Sequence, residues 1–204
     1  GMGYRFDVAT PAGIIKGLHT QVPGKINLEN AVAALAMAHL AGVNEAVMKE
    51  AMSSFRGVKR RFDIIAATEK YIFIDDYAHH PEELKAFISS VREALPGKRL
   101  TGIFQPHLYS RTRDFAEEFA ASLSLLDDVV LIPIYPAREE PIPGVNSEMI
   151  RKGIKVPGVC TSIRDENLEE TVRQLNPGVL LTMGAGSIDL RINQLHEIMK
   201  EINE

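Results

Sequence analysis

The hydrophobic pattern of the first 57 residues predicts a hairpin followed by two helices. Two short β-rich runs flank a Pro11-Ala12-Gly13 turn, which is typical of antiparallel strands. These runs are Tyr4 to Val8 and Ile14 to Leu18. Alanine and leucine then dominate residues 27–40, and Gly42 and Asn44 supply a helix end and a cap for a second helix. In that helix, apolar residues recur at helical spacing, at Val47, Ala51, Met52 and Phe55.

From residue 58 onward, short β-rich runs alternate with amphipathic helices. This alternation predicts an α/β fold: a Rossmann-like, mostly parallel sheet with helices on both faces, preceded by the hairpin and the helical pair. The strands are expected at 62–66, 71–74, 100–104, 129–134 and 179–182. The helices are expected at 81–95, at 111–126 and at the end of the chain, where Ile188, Ile192, Leu195, Met199 and Ile202 share one face. We therefore predict two domains, 1–57 and 58–204.

Composition and charge exclude several classes of protein. The 204 residues are 45% hydrophobic and 25% charged, which is typical of a soluble globular protein. A net charge of -4 does not favour binding to nucleic acid or to an anionic membrane. The longest apolar stretch, Ala31 to Ala41, is far shorter than the roughly 20 residues of a membrane-spanning helix. Cys160 is the single cysteine, so we expect no internal disulfide and a cytoplasmic protein. Gly1-Met2-Gly3 resembles a processing scar ahead of an internal segment. We expect no signal peptide.

The polar residues collect where predicted strands end. Four such segments are DDYAHHP (75–81), FQPHLYSRTRD (104–114), IYPAREEPIPG (134–144) and MGAGS (183–187). In an open parallel sheet, ligands bind outside the carboxyl ends of the strands. We therefore expect all four segments to share one rim.

The first two segments carry imidazole, carboxylate and guanidinium groups. Histidines and carboxylates of this kind can ligate a metal, but no metal-binding spacing accompanies them, so we predict no metal site. These residues are Asp75, Asp76, His79, His80 and His107. We favour His79 as functional and leave His80 open between function and packing. Arg111 is suited to binding a carboxylate or phosphate, whereas Arg113 fits a ligand role and a surface role equally.

The remaining polar groups have alternative explanations. Arg138, Glu139 and Glu140 lie in a proline-rich loop that fits a functional and a structural role equally. Residues 184–189, GAGSID, resemble a dinucleotide fingerprint but have Asp189 where the third glycine belongs. This departure favours a backbone cradle for an anion over a nicotinamide site. The basic residues 59–61 are typical of solvated surface, and Asn27 and Asn30 lie three apart on one helix face.

Taken together and in this order, the segments resemble the Mur ligases, which add amino acids to the UDP-muramoyl precursor of peptidoglycan. The resemblance covers nearly the whole chain and includes PGKINLENAVAALAMA (23–38) and GVKRRFD (57–63). It implies that residues 1–57 end a central ATPase domain and that residues 58–204 form the C-terminal domain. The implied reaction is ATP-dependent joining of L-alanine to UDP-N-acetylmuramate through an acyl phosphate, with Mg²⁺.

The resemblance also implies roles for individual residues. Asn27 and Asn30 would contact the adenine side of ATP, and Arg61 and Asp76 would help to hold the nucleotide across the domain junction. Arg61 and His79 would be catalytic. The side chains that would face the amino acid and the muramoyl carboxylate are Tyr77, His79, His107 and Arg111. The chain departs from the family at Ile26, where His is frequent, and at Leu108, where some members have Arg; the second departure places more weight on Arg111.

The phosphate-binding motif GxxxxGK[ST] does not occur in the sequence. We therefore expect most of the ATP and Mg²⁺ contacts to come from N-terminal and central domains of the same protein, and no ligase turnover by this chain alone. Alternative hypotheses are a recycling ligase that adds a preformed tripeptide, a nicotinamide-binding domain, a metal-dependent hydrolase and a non-catalytic adaptor.

Overall fold

The computed structural model describes residues 3–11 and 13–204. The described residues up to Phe62 form one compact unit, and Asp63–Glu204 form a second. Ala12 of the predicted turn and the first two residues of the chain lie outside the described residues. The assignment of residues 1–57 and 58–204 to two family domains stays a prediction.

The first unit contains the expected hairpin and helical pair. Its elements are β1 (Tyr4–Thr10), β2 (Gly13–Thr20), α1 (Lys25–Leu40) and α2 (Glu45–Ser54). β1 and β2 pair antiparallel. The side chain of Asn44 accepts a hydrogen bond from Ala46 N at 2.8 Å, which confirms the predicted cap of α2. A small core holds the elements together and consists of Val8, Ile15, Leu18, Leu35 and Met48.

The two helices of this unit bury few of their apolar residues. Met48 is the buried residue of α2, whereas Val47 is 54% exposed and Phe55 lies beyond the end of the helix and is 45% exposed. On α1, Leu35 is buried and Leu40 is 80% exposed. Helical spacing therefore predicted these helices, but it did not show which positions the small core would use.

The second unit is built on a six-stranded sheet with the order β3-β4-β8-β5-β6-β7. The strands are β3 (Asp63–Ala67), β4 (Ile72–Asp76), β5 (Thr101–Phe104), β6 (Asp128–Leu131), β7 (Cys160–Ser162) and β8 (Val179–Met183). β3 is antiparallel to β4, and all the other pairs are parallel. The predicted α/β fold with a mostly parallel sheet is confirmed.

Helices cover both faces of this sheet. They are α3 (Pro81–Ala94), α4 (Tyr109–Asp114), α5 (Ala116–Leu123), α6 (Ser147–Arg151), α7 (Leu168–Leu175) and α8 (Ile192–Asn203). On one face, α7 and α8 pack on a buried cluster that includes Phe73, Ile103 and Leu180. The next residue of β5, Phe104, points to the opposite face, where its ring contacts Phe119 of α5 at 5.4 Å. No helix within the described ranges is long and apolar enough to cross a membrane.

One predicted element was wrong in its extent. Residues 111–126 were expected to form a single helix, but the structure has α4 and α5, separated at Phe115. Phe115 leaves the helical region, at φ -125° and ψ 24°, and its ring lies 5.1 Å from the ring of His80. Apolar spacing continues through the break, so the sequence pattern does not reveal it. The short strand β7 and the helices α6 and α7 were not predicted.

Candidate active site at the carboxyl edge of the sheet

Four neighbouring strands, β4, β8, β5 and β6, are parallel, so the segments that follow them meet at one edge. Backbone hydrogen bonds join these segments in pairs. Gly184 N donates to Asp76 O at 3.2 Å, Gln105 N donates to Met183 O at 3.0 Å, and Leu108 N donates to Tyr135 O at 3.0 Å. The expected common rim is therefore present in the second unit.

A row of four rings crosses this rim. The rings of Tyr77 and His79 are 5.1 Å apart, those of His79 and His107 are 5.8 Å apart, and His107 stacks on Tyr135 at 5.7 Å. The row joins the ends of β4 and β5 to the loop after β6. It brings together the predicted substrate residues Tyr77, His79 and His107.

The first turn of α3 orients His79. Glu83 Oε2 accepts hydrogen bonds from His79 N at 3.0 Å and from His80 N at 3.2 Å. The ring atom His79 Nδ1 lies 3.0 Å from Tyr77 O and 3.3 Å from Glu83 Oε2. Both neighbours of Nδ1 are acceptors, so neutral His79 carries its proton there and Nε2 is the basic atom.

His107 occupies a different environment. Burial, the positive charge of Arg111 and the proximity of His79 lower the pKa of His107 below its ordinary value. The lowered pKa favours the neutral form of His107 at pH 7. Across the described parts of the chain, its Nδ1 is the one buried side-chain nitrogen or oxygen atom without a hydrogen-bond partner. The side chain of Arg111 extends toward the two histidines, since its Nη1 donates a long hydrogen bond of 3.4 Å to His79 O.

The two aspartates at the end of β4 differ in surroundings. Asp75 is fully buried and accepts a hydrogen bond of 2.6 Å from the hydroxyl of Thr182. Asp76 is 8% exposed, and its Oδ1 accepts from Ala78 N at 2.8 Å, which shapes the turn toward His79. Among the residues that the structure describes, no three His, Cys, Asp or Glu side chains are grouped so that they could hold a metal ion.

Glu139 was left open between a functional and a structural role, and the structure gives it a defined contact. One carboxylate oxygen accepts from Ser110 N at 2.9 Å, and the other accepts a short hydrogen bond from Ser110 Oγ. These bonds lower the pKa of the Glu139 carboxyl. Its neighbours Arg138 and Glu140 are exposed.

The glycine-rich segment after β8 packs against the protein. A Cβ atom on Gly186 would lie 2.5 Å from both Gln105 Oε1 and Tyr135 Cβ. The buried Gln105 side chain accepts from Ile188 N at 2.9 Å and donates to Ser187 Oγ at 3.1 Å. Close packing thus accounts for Gly186 without a dinucleotide. Gln105 was not predicted from the sequence, where its signal was an amide side chain directly after an apolar run.

Two residues that were left open make contacts unrelated to the row of rings. The ring of His80 packs on Phe115, the residue that separates α4 from α5. Arg113 Nε donates to Asp114 Oδ1 at 2.7 Å, and both side chains are 51% exposed. The surface interpretation of Arg113 fits this geometry.

A separate pocket of about 310 Å³ lies between the ends of the loop 133–146 and β7. Its lining includes Tyr109, Ile134, Ser147 and Ile163, but none of the three residues His79, His107 and Arg111. Ser147 Oγ already donates to Ile132 O at 2.7 Å.

The remaining predicted residues belong to the first unit. Asn27 and Asn30 lie on α1, and Asn27 Nδ2 donates to Pro23 O at 2.7 Å. Arg61 is exposed and lies in a turn closed by a 3.0 Å hydrogen bond from its N to Val58 O. The structure therefore groups Asp76, Tyr77, His79, His107 and Arg111 in the second unit and places the asparagines and Arg61 in the first.

Comparison with known proteins gives one consistent result. The family described as "Mur ligase, glutamate ligase domain" matches residues 60–186. The chain is 48% identical over 191 residues to UDP-N-acetylmuramate–L-alanine ligase of Phocaeicola vulgatus, covering 93% of this chain and 42% of that protein. It is 49% identical over 194 residues to the ligase of the same name from Parabacteroides distasonis, covering 95% and 42%.

A solved structure agrees. The crystal structure of UDP-N-acetylmuramate-alanine ligase from Thermotoga maritima superposes with a TM-score of 0.74 at 29% identity, covering 90% of this chain and 40% of that chain. The chain thus spans less than half the length of the relatives that it matches. On the match of the family over residues 60–186, the chain belongs to the Mur ligase family.

Proposed function

We propose that this chain is the C-terminal part of an ATP-dependent ligase that joins L-alanine to UDP-N-acetylmuramate in the synthesis of peptidoglycan precursors. The observation that carries the proposal is the placement of His79, with a basic Nε2, beside neutral His107 and cationic Arg111. The similarity to two ligases that bear this name supports the choice of substrates. A cytoplasmic location accords with the single cysteine of the sequence.

The reaction requires an activated carboxylate and an uncharged amine. Phosphorylation of the muramoyl carboxylate by ATP gives an acyl phosphate. The amine nitrogen of L-alanine then bonds to the acyl carbon, loses a proton, and the bond between that carbon and the phosphate oxygen breaks. We assign the proton to His79 Nε2, because Tyr77 O and Glu83 hold the opposite ring nitrogen as a donor.

Arg111 and His107 serve binding in this proposal. The guanidinium of Arg111 can form two parallel hydrogen bonds with the carboxylate of L-alanine. His107, which stays neutral, can donate to a substrate oxygen without adding a second positive charge. Tyr77 forms the wall of the site next to His79.

For the nucleotide, we propose four residues that the sequence predicted. Asn27 and Asn30, three residues apart on α1, would bind the adenine side of ATP, and Arg61 and Asp76 would hold the rest of the nucleotide. In the part of the chain that the structure describes, no cluster of three metal-ligating side chains fits Mg²⁺. Because the motif GxxxxGK[ST] does not occur in the sequence, we assign Mg²⁺ and the phosphate-binding loop to N-terminal and central domains of the same protein.

The test uses the full-length protein with MgATP and UDP-N-acetylmuramate, and measures phosphate release with L-alanine, with a preformed tripeptide, with other amino acids and with no acceptor. The proposal requires release that depends on L-alanine. Dependence on the tripeptide would instead identify the recycling ligase, and no dependence on any acceptor would refute both. This chain alone should release no phosphate above background.

The role of His79 is tested in the same assay. His79→Gln should lower turnover by about 10²- to 10⁴-fold, since a positioned proton acceptor contributes about that factor. His80→Gln is the matched neighbour and should cost much less, because its ring packs on Phe115 rather than joining the row of rings. Equal losses in the two variants would contradict the assignment.

A further inference from the structure

The helix that carries Arg111 lacks a cap of its own. Helix α4 begins at Tyr109, and the residue before it, Leu108, makes no side-chain hydrogen bond to the first turn. The first backbone N–H groups of a helix have no partner within the helix and need an acceptor from elsewhere. Glu139 supplies one from 29 residues away, through its bond to Ser110 N.

Leu108 adds a second reason for an external contact. Its backbone adopts φ 72° and ψ 135°, a conformation that residues with a side chain rarely take. Such a conformation is strained and persists only when the surrounding contacts enforce it. Leu108 lies directly between His107 and helix α4, so its conformation sets the angle between His107 and Arg111.

The loop that carries Glu139 holds this segment at two places. Before the helix, Tyr135 N donates to Pro106 O at 2.8 Å, and Tyr135 O accepts from Leu108 N at 3.0 Å. Within the first turn, both carboxylate oxygens of Glu139 bind Ser110. The backbone between these contacts contains His107 and the strained Leu108, and Arg111 follows Ser110 directly.

We propose that Glu139 is a positioning residue for the acceptor amino acid: it caps α4 across the loop and thereby fixes Arg111 and His107 in the orientation that binds the acceptor carboxylate. This proposal rests on the ligase reaction proposed above. Glu139 itself does not touch the substrate in this arrangement, because its two oxygens are engaged by Ser110.

The test compares three variants of the full-length protein. Glu139→Ala removes both acceptors and should raise the KM for L-alanine about tenfold or more, while the KM for UDP-N-acetylmuramate changes little. Glu139→Gln keeps an oxygen for Ser110 N and an amide for Ser110 Oγ, so it should restore the KM to within about threefold. Glu140→Ala, at the exposed neighbour, is the control and should behave as wild type.

An unchanged KM for L-alanine in Glu139→Ala would overturn the proposal, as would an equal rise in the KM of every substrate. If Glu139→Ala does not fold, Glu139→Asp replaces it, since a side chain that is one methylene shorter draws the carboxylate away from Ser110 N. An unchanged KM for L-alanine in that variant would also overturn the proposal. Hydrogen exchange separates this proposal from the ligase assignment. The Ser110 amide should lose protection in Glu139→Ala whatever reaction the protein catalyses, and retained protection would refute the cap.

Discussion

The guanidinium of Arg99 binds the carboxylate of Asp128 through two parallel hydrogen bonds of 2.7 Å each, at the opposite end of the sheet from the candidate site. The same carboxylate accepts from Val159 N at 2.8 Å and from Thr101 Oγ1 at 3.2 Å. Asp128 is almost fully buried, whereas the Arg99 side chain is 64% exposed. The backbone and hydroxyl donors therefore matter as much as the ion pair, which solvent weakens.

Replacing Asp128 should destabilise the second unit. Asp128→Asn removes the negative charge and one of the two acceptor oxygens at a buried position, so the donors of Arg99, Thr101 and Val159 can no longer all be satisfied. We expect a loss of roughly 2 kcal/mol in the free energy of unfolding. Urea denaturation at pH 7 measures this. Asp114→Asn, in the exposed pair with Arg113, is the matched control and should change stability little. Similar losses in the two variants would show that the hydrogen bonds to the buried Asp128 carboxylate contribute no more than an exposed ion pair.

The contribution of Asp128 should also depend on pH. Burial acts to raise the pKa of its carboxyl, but the hydrogen bonds from Arg99, Val159 and Thr101 together hold that pKa below the ordinary value. The unfolded chain consequently takes up a proton first as pH falls. The stabilisation is complete above the unfolded pKa of about 3.9 and is lost as pH falls through the folded pKa. Denaturation curves between pH 6 and pH 2.5 should show a shallower decline in Asp128→Asn, and parallel declines would contradict this.

The tautomer of His79 gives a prediction that does not depend on catalysis. The 15N shifts of the imidazole should show the proton of the neutral ring on Nδ1, because both groups near that atom are acceptors. Glu83→Gln replaces one acceptor with a side chain that can also donate, so it should increase the fraction of the other tautomer. A neutral ring protonated at Nε2 in the unmodified protein would remove His79 from the role of proton acceptor.

Much of this fold followed from hydrophobic periodicity, and much of the candidate site did not. Five of the six strands of the second unit were predicted to within a few residues because each is a short apolar run, whereas the unpredicted β7, Cys160–Ser162, is not. Because His79, His107 and Arg111 follow strands that were predicted to be parallel, they could also be predicted to lie close together. The residues that hold them were harder to predict, since Glu139 and Gln105 act on partners that are 29 and 83 residues away in sequence. No local pattern records such contacts.

The glycine-rich segment 184–189 resembles a nucleotide-binding motif, but Gly186 packs closely against residues that are distant in sequence. A substitution tests whether this packing accounts for the glycine. Gly186→Ala should lower both stability and ligase activity, because its Cβ would lie 2.5 Å from Gln105 Oε1 and from the backbone-linked Cβ of Tyr135. Gly178→Ala is the control, since no atom lies within 4 Å of the added Cβ. Thermal unfolding compares the two, and a Gly186→Ala protein as stable as Gly178→Ala would refute the packing account.

The charges around His107 act on its pKa in opposite directions. Burial, Arg111 and His79 all lower the pKa of His107, and Glu139 acts against them. Arg111→Ala should raise that pKa toward its ordinary value of about 6.5 without reaching it, because burial remains. Histidine NMR titration of the 204-residue chain measures the change. Arg113→Ala removes an equal charge that is exposed and paired with Asp114, and it should leave the His107 pKa unchanged. Equal shifts in both variants would mean that His107 senses overall charge rather than its neighbour. A shift confined to Arg111→Ala would show that the cation which we assign to the acceptor carboxylate also keeps His107 neutral.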